Sequence, residues 1–182
     1  MRQRAKVIPD ATGVVLEIGI GSGLNLDYYE PSQIDHLIGI DPFPYESELH
    51  SKFEEVDFST EFVKTSAEDL PFESSTIDTI VATYTFCTID FVEEALDECR
   101  RVLKGDGKLL FVEHGLSPDS KVRKTQDRVN PIWRRLSGGC NLNRDMPRLI
   151  ESNGFRINQI EEGYIPGWKP ATWNSWGTAQ PV

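Results

Sequence analysis

The stretch Val14-Val15-Leu16-Glu17-Ile18-Gly19-Ile20-Gly21-Ser22-Gly23-Leu24-Asn25 decides how the rest of the chain is read. Its first half is an apolar run of strand length bounded by glycine, so it reads as a buried strand; its second half is a glycine-rich turn expected to open a helix. In an open α/β sheet, ligands bind beyond the carboxyl ends of the strands at turns of this kind. Glycine there permits unusual dihedrals and close backbone approach, and a helix N-terminus would aim free N–H groups at a carboxylate or phosphate. A nucleotide and an amino-acid cofactor both satisfy these requirements.

Outward from this turn, apolar runs of strand length recur at 36–40, 61–64, 77–82 and 109–112, with helix-like stretches and turn signals between them. That alternation predicts a mostly parallel sheet with covering helices. Between the last two runs, Phe91, Ala95, Leu96, Cys99, Val102 and Leu103 recur at helical spacing, and Asp90 with Glu93 reads as an acidic variant of a capping box. Gly105-Asp106-Gly107 is expected to stop this helix and turn the chain. Beyond Gly115 come a basic, tryptophan-bearing stretch, the glycine-rich Ser137-Gly138-Gly139-Cys140, a helix near 146–152, and late strands near 155–160 and 173–178.

The 182 residues fit a single domain spanning 1–182. No run approaches a membrane span and no signal-peptide pattern stands at Met1-Arg2-Gln3-Arg4, so a soluble, cytoplasmic protein is expected. Cys87, Cys99 and Cys140 form no disulfide framework and their spacings match no zinc site, so no metal is expected. The formal net charge of -10 repels a phosphate backbone and argues against a nucleic-acid partner.

A dinucleotide fingerprint needs G-x-G-x-x-G, and counting from Gly19 puts Leu24 where the third glycine belongs. Asp41 ends the run Leu37-Ile38-Gly39-Ile40-Asp41 roughly 20 residues beyond the turn, where a carboxylate can accept both ribose hydroxyls or simply cap a helix. What stands at the turn is E-x-G-x-G-x-G, Glu17 through Gly23, which resembles motif I of the class I S-adenosylmethionine-dependent methyltransferases. The resemblance implies that Glu17, Gly19, Gly21, Gly23 and Asn25 hold the methionine part of S-adenosyl-L-methionine, with S-adenosyl-L-homocysteine as product. It also implies ribose binding by Asp41. Thr65-Ser66-Ala67-Glu68-Asp69-Leu70-Pro71-Phe72 resembles the family's adenine-lining segment, making Ser66, Ala67 and Glu68 candidates, although the same residues read equally as a capped turn. Ile77-Asp78-Thr79-Ile80-Val81-Ala82-Thr83-Tyr84 resembles the fourth strand, which would bring Thr83 and Tyr84 beside the sulfonium.

With Cys99-Arg100-Arg101-Val102-Leu103-Lys104 and the segment from Gly107 to His114, these motifs follow the family order over about residues 5 to 180. The resemblance implies a Rossmann-like, doubly wound sheet of seven mostly parallel strands with an antiparallel last strand and helices on both faces. Asn130-Pro131-Ile132-Trp133 followed by Gly139-Cys140-Asn141-Leu142-Asn143-Arg144 is closest to the methyltransferase-like thiol methyltransferases and their small bacterial relatives, and more distantly similar to quinone C-methyltransferases and phospholipid N-methyltransferases. Two departures stand out: Ser66 replaces an acidic residue, and little chain precedes the first strand to form a lid over the donor.

Methyl transfer from a sulfonium is an in-line displacement that rests on alignment and exclusion of water, so the lack of an obvious acid–base pair is no objection. His114, after the fifth strand, is the histidine placed to act as a base or to position an acceptor, although it reads equally as a satisfied structural histidine, while His36 and His50 read as structural or exposed. The 138–144 segment is either a glycine-rich helix connection or, the reading favoured, a loop closing over a small-molecule acceptor with Asn141, Asn143 and Arg144 as donors; Cys140 reads as a small buried hydrophobe rather than a nucleophile. Lys121, Arg123, Lys124, Arg128, Arg134 and Arg135 face a single acid, Asp127, with Ile132 and Trp133 alongside. This stretch is either a solvated helix face or a contact with an anionic lipid surface. Trp168, Trp173, Trp176, Tyr164 and Phe155 could build a hydrophobic acceptor wall, but aromatics in late strands are more often core and are expected there. A thiol acceptor is favoured; the alternatives are a phospholipid amine or a quinol carbon, a donor-binding protein without catalysis, and a nicotinamide-dependent oxidoreductase.

Overall fold

A computed structural model describes residues 2–182. Seven strands form one sheet: β1 (Gly13–Ile18), β2 (Ile34–Ile40), β3 (Ser59–Val63), β4 (Ile77–Thr83), β5 (Leu103–His114), β6 (Phe155–Tyr164) and β7 (Trp173–Pro181), in the order β3-β2-β1-β4-β5-β7-β6. Pairings from β3 through β5 are parallel, and β7 runs antiparallel to both β5 and β6. This is the doubly wound, mostly parallel sheet expected from the alternation of runs. Central strands buried on both faces need continuous apolar sequence, which is why β1, β4 and β5 stood out.

Successive residues of each central strand feed opposite cores. Leu16, Ile80 and Leu109 join one cluster with Ala95, Leu96 and Cys99 of α3 (Val92–Val102) and with Met146 and Ile150 of α5 (Met146–Ser152). Val15, Val81 and Leu110 join the other, with Val7 of α1 (Arg4–Val7) and Leu49 of α2 (Glu46–Phe53). The long basic helix α4 (Ser120–Leu136) is pinned by Gln126, whose amide donates to the carbonyls of Gly115, Leu142 and Pro170 at 2.9–3.0 Å. Among the described residues, no helix is long and apolar enough to cross a membrane.

Several local expectations give way to tertiary structure. No α-helix follows the glycine turn; two short 3-10 turns, Leu26–Tyr28 and Pro31–Gln33, take its place, because Asn25 and Tyr29 are drawn inward as described below and Pro31 has no N–H to give a helix. The Asp90–Glu93 capping box does not form. Phe91 occupies the cap position without a side-chain bond, and Asp90 instead accepts from Arg134 Nη2 at 2.6 Å. Helix α3 also ends at Val102, before Gly105-Asp106-Gly107, which lies inside β5 where the register against β4 shifts between Leu103 and Lys108. The tail aromatics divide: Phe155 and Trp176 are buried, Trp173 packs edge-on to Tyr164, and Trp168 is exposed against Trp133.

Beneath the glycine turn, Glu17 of β1 is 1 % exposed. Tyr29 Oη donates to its Oε2 at 2.6 Å and Asn25 Nδ2 to its Oε1 at 3.0 Å. Asn25 Nδ2 also donates to Thr83 Oγ1 at 3.0 Å, and Arg4 Nη2 donates to the same hydroxyl at 3.4 Å. Burial pushes the Glu17 carboxyl up to about 7, against the hydrogen bonds of Tyr29 and Asn25 and the nearby Arg4 charge. The short N-terminal helix therefore contributes a cation under the turn rather than a cover above it.

Two outcomes follow from this packing. A Cβ at Gly177 would stand 2.0 Å from the Gln159 carbonyl oxygen across the β6–β7 bulge. Gly177→Ala should therefore cost about 2–3 kcal/mol of stability in urea unfolding. Glu17 has a folded pKa near 7 against 4.5 unfolded, so its contribution is fully present below about pH 4.5 and is lost as pH rises through 7. Unfolding free energies measured from pH 5 to 8 should fall with pH, and Glu17→Gln should remove on the order of 3 kcal/mol of that fall; an unchanged slope in the variant would overturn the assignment.

Candidate active site

The segments leaving the carboxyl ends of the parallel strands enclose a cavity of about 540 Å³, within the roughly 300–1,000 Å³ usual for small-molecule sites. Ile18 and Gly19 form one wall where β1 ends, and Ile40, Asp41, Pro42 and Phe43 form the next where β2 ends. Thr65, Ser66, Ala67 and Glu68 continue it after β3, and Tyr84, Thr85 and residues 88–91 close it after β4, with Gly138 at the far rim.

Two glycines shape the turn for distinct reasons. Gly19 has φ +69°, and a Cβ there would stand 2.5 Å from the Thr85 hydroxyl, so only glycine lets β1 and the post-β4 segment meet. Gly21 has φ +56°, so a side chain there would be strained even though nothing crowds its Cβ position. Its N–H donates to Asp41 Oδ2 at 3.1 Å, and Phe43 N donates to Asp41 Oδ1 at 2.7 Å. Each carboxylate oxygen thus holds one backbone amide and keeps a lone pair for an outside donor.

The opposite wall is positioned by a second buried carboxyl. Glu113, fully buried on β5, accepts from Thr85 N (2.8 Å), Phe86 N (2.9 Å) and Cys87 N (3.2 Å). Burial pushes it up to about 7, against those three amides and the adjacent His114. Tyr84 stands just before them at φ +55°, unusual for a side-chain-bearing residue, and its N–H donates to Val112 O at 2.7 Å. Its hydroxyl donates to Asn174 Oδ1 at 2.7 Å, Arg4 lies 5.5 Å from its ring centre, and the His114 ring lies 4.9 Å away on centroids.

Of the donor-binding candidates, Gly19, Asp41, Ser66, Ala67, Glu68 and Tyr84 line the cavity. Glu17, Asn25 and Thr83 do not: all three are buried behind the turn and bond to one another through Asn25. Gly21 and Gly23 shape the turn without forming its wall, Gly23 at φ +73° against Leu26. On the acceptor side, Asn141 is buried and is not among the residues that wall the cavity. Its amide N–H groups are committed to the carbonyls of Cys87 (3.0 Å) and Gly139 (3.2 Å), so it braces the loop. Arg144 is half-buried and donates to the Phe86 carbonyl, while Asn143 bonds Asp127 on the surface at 2.9 Å.

His114 sits behind Tyr84, with Nδ1 3.4 Å from Cys140 Sγ. Cys87, His114 and Cys140 present ligand atoms that all lie within 4.8 Å of one another. A hydrogen bond from Cys87, outweighing burial, and the neighbouring imidazole hold the Cys140 thiol well below its ordinary range; the same bond together with burial pushes Cys87 up. Burial draws the His114 pKa down, but the Cys140 sulfur and Glu113 outweigh it and leave it raised. Spacing rules test local pairs, and these three residues come from separate segments that only the fold brings together.

Residues absent from the sequence-based candidates include Phe43, Thr85, Ile89, Phe91 and the positioning Glu113, whereas Gly138 begins the segment expected to close over the acceptor. Only Phe43 carried a local signal, two residues past Asp41; the others belong to loops whose course depends on Glu113.

The family profile described as "Methyltransferase domain" matches residues 16–111. Thiol S-methyltransferase TMT1B of Homo sapiens is 30% identical over 179 residues, covering 91% of this chain and 70% of that protein. The Rattus norvegicus protein of the same name is 29% identical over 86% of this chain, which spans 63% of its length. Among solved structures, the YcgJ protein of Bacillus subtilis superposes with a TM-score of 0.71 at 20% identity, covering 94% of this chain and 92% of that one. The profile spans more than half of the chain and includes the glycine turn, Asp41 and the end of β4, which decides against a nicotinamide-binding fold: the chain belongs to the S-adenosylmethionine-dependent methyltransferase domain family.

Proposed function

We propose that the chain transfers a methyl group from S-adenosylmethionine to a thiol on a small, apolar or amphipathic acceptor. The observation that carries the donor half is the convergence on one cavity of Gly19, Asp41, Ser66, Ala67, Glu68 and Tyr84. When bound there, the donor supplies a methyl carbon already activated by its sulfonium. The free lone pairs of Asp41 accept from the ribose hydroxyls, the backbone around Ala67 with Phe43 and Ile89 flanks the adenine, and Tyr84 and Thr85 border the methionine end. Aligning the acceptor sulfur with that methyl and excluding water is the remaining task.

The thiol half rests on the similarity to proteins named thiol S-methyltransferases. The apolar character of the acceptor rests on the rim, where Phe43 is 87% and Phe91 63% exposed. On α4, Ile132 and Leu136 stand one helical turn apart and exposed with Arg135 next to Leu136, and Trp168, which packs on Trp133 of the same helix, is exposed too. That face favours delivery of acceptors from an anionic lipid surface, with peripheral rather than spanning attachment.

Calorimetric titration with S-adenosylhomocysteine should give saturable binding that weakens at least about tenfold in Asp41→Ala, as expected for loss of a charge-assisted hydrogen-bonding group. No binding by the folded parent would overturn the donor assignment. With donor bound, turnover should be found on alkyl thiols and not on phospholipid amines or quinols; donor binding without turnover on any of them would make the chain a binding protein. Flotation on vesicles containing phosphatidylserine should recover the parent chain and lose a variant carrying Ile132→Ser and Leu136→Ser, and equal recovery of both would remove the lipid contact from this face.

A further inference from the structure

Cys87, His114 and Cys140 are not needed to hold the methyl donor, yet three separate segments converge to bring them together. His114 ends β5, Cys87 follows the neighbouring β4, and Cys140 comes from the loop after α4. That loop is clamped onto Cys87 at two points, Asn141 N donating to the Cys87 carbonyl at 2.8 Å and Asn141 Nδ2 donating to it at 3.0 Å. The geometry points to a metal site: we propose that Cys87, His114 and Cys140 bind one zinc-class divalent ion, leaving a fourth position open to an exogenous thiol.

A tetrahedral ion with metal–sulfur bonds of about 2.3 Å and metal–nitrogen bonds of about 2.0–2.1 Å holds adjacent ligand atoms roughly 3.5–3.8 Å apart. Cys140 Sγ and His114 Nδ1 are 3.4 Å apart, and all three ligand atoms lie within 4.8 Å of one another, so side-chain adjustment rather than backbone movement closes the site. Two sulfurs and an imidazole select a thiophilic metal over magnesium or calcium. An independent observation sits at the same place: the indole N–H of Trp133, whose ring packs against the cluster that contains Cys140, is buried without a hydrogen-bond partner. Such a donor is what a metal-bound thiolate accepts from in its outer shell. Among the described residues, no further His, Cys, Asp or Glu joins the group, and three protein ligands with one free position is the open form of a zinc site. Cys87 is followed by Thr88 and Cys140 is preceded by Gly138 and Gly139, and both Thr88 and Gly138 wall the donor cavity. That the open position takes the acceptor sulfur rests on the thiol reading above; there the thiol gives its proton to solvent on binding and keeps the electron pair that forms the new carbon–sulfur bond, as the old one breaks toward the donor sulfur.

The full-length chain, reduced with a phosphine and stripped of metal, is titrated with cobalt(II) and then with zinc. One cobalt per chain is expected, with the charge-transfer absorption of thiolate–cobalt bonds, bleached when zinc displaces it. Cys87→Ala and Cys140→Ala should each weaken binding at least tenfold, and Cys99→Ala, a buried cysteine of α3, should leave it unchanged. No thiolate–cobalt absorption in the folded parent, or full binding in both cysteine variants, would overturn the site. Adding 2-mercaptoethanol should alter the cobalt spectrum; an unaltered spectrum would overturn the open position. Cobalt binding without methylation of any thiol would sink the thiol reading while the ion site stands, and thiol methylation by a chain that binds no cobalt would do the reverse.

Discussion

Two carboxyls removed from water at the roots of the loops hold the cavity together. Glu17 on β1 and Glu113 on β5 flank β4 from its two neighbouring strands, and each receives donors from the segment it must place. A buried carboxyl costs free energy unless its lone pairs are filled, and filling them obliges the surrounding chain to adopt one course. For Glu17 the donors are side chains of the turn region, Asn25 and Tyr29. For Glu113 they are three consecutive main-chain amides, so the post-β4 loop is held whatever side chains it carries. The unusual backbone of Tyr84, immediately before those amides, is sustained by that anchoring.

The same arrangement explains which parts of the site are visible in sequence. Gly19, Asp41 and the 66–68 segment stand at fixed places relative to strands whose apolar runs announce themselves, so the fold carries them to the cavity with no further information. Glu17, Asn25 and Thr83 were visible as motif residues but not in their roles, because their partners lie across the sheet: Asn25 reaches Thr83 of β4, and Thr83 is reached by Arg4 of α1. The helix expected after the turn is replaced by 3-10 geometry for the same reason. Residues drawn inward to satisfy a buried carboxyl cannot also keep a helical course. Local capping logic likewise yields at Asp90, whose carboxylate accepts from Arg134 of a helix far along the chain instead of its own backbone.

Seen from the fold, the Cys87–His114–Cys140 group is a consequence of adjacency between β4 and β5. Cys87, four positions past the end of β4, comes within reach of His114 at the end of β5, and the loop after α4 is brought over both by the two bonds from Asn141 to Cys87. Asn130 completes the clamp, donating to Asn141 Oδ1 at 3.2 Å and accepting from Leu142 N at 2.8 Å. The polar residues that resembled acceptor contacts thus brace the loop that carries Cys140, and sulfur and imidazole are what that bracing presents near the cavity.

This division of labour accounts for the absence of an acid–base pair along the cavity wall. The titratable side chains that line it, Asp41, Glu68, Tyr84 and Asp90, are acids or a phenol; Asp41 is tied to backbone amides, Tyr84 to Asn174 and Asp90 to Arg134, an arrangement suited to holding a cationic donor rather than to moving protons. On the proposed thiol reading, the groups that would ready the acceptor sulfur stand outside the wall, the imidazole behind Tyr84 and the two sulfurs it adjoins. A thiolate held on a soft ion needs no proton acceptor at the moment of transfer, because its proton is lost on binding. The cavity is then left with alignment and dryness, which its apolar rim and rigidly anchored loops are built to supply.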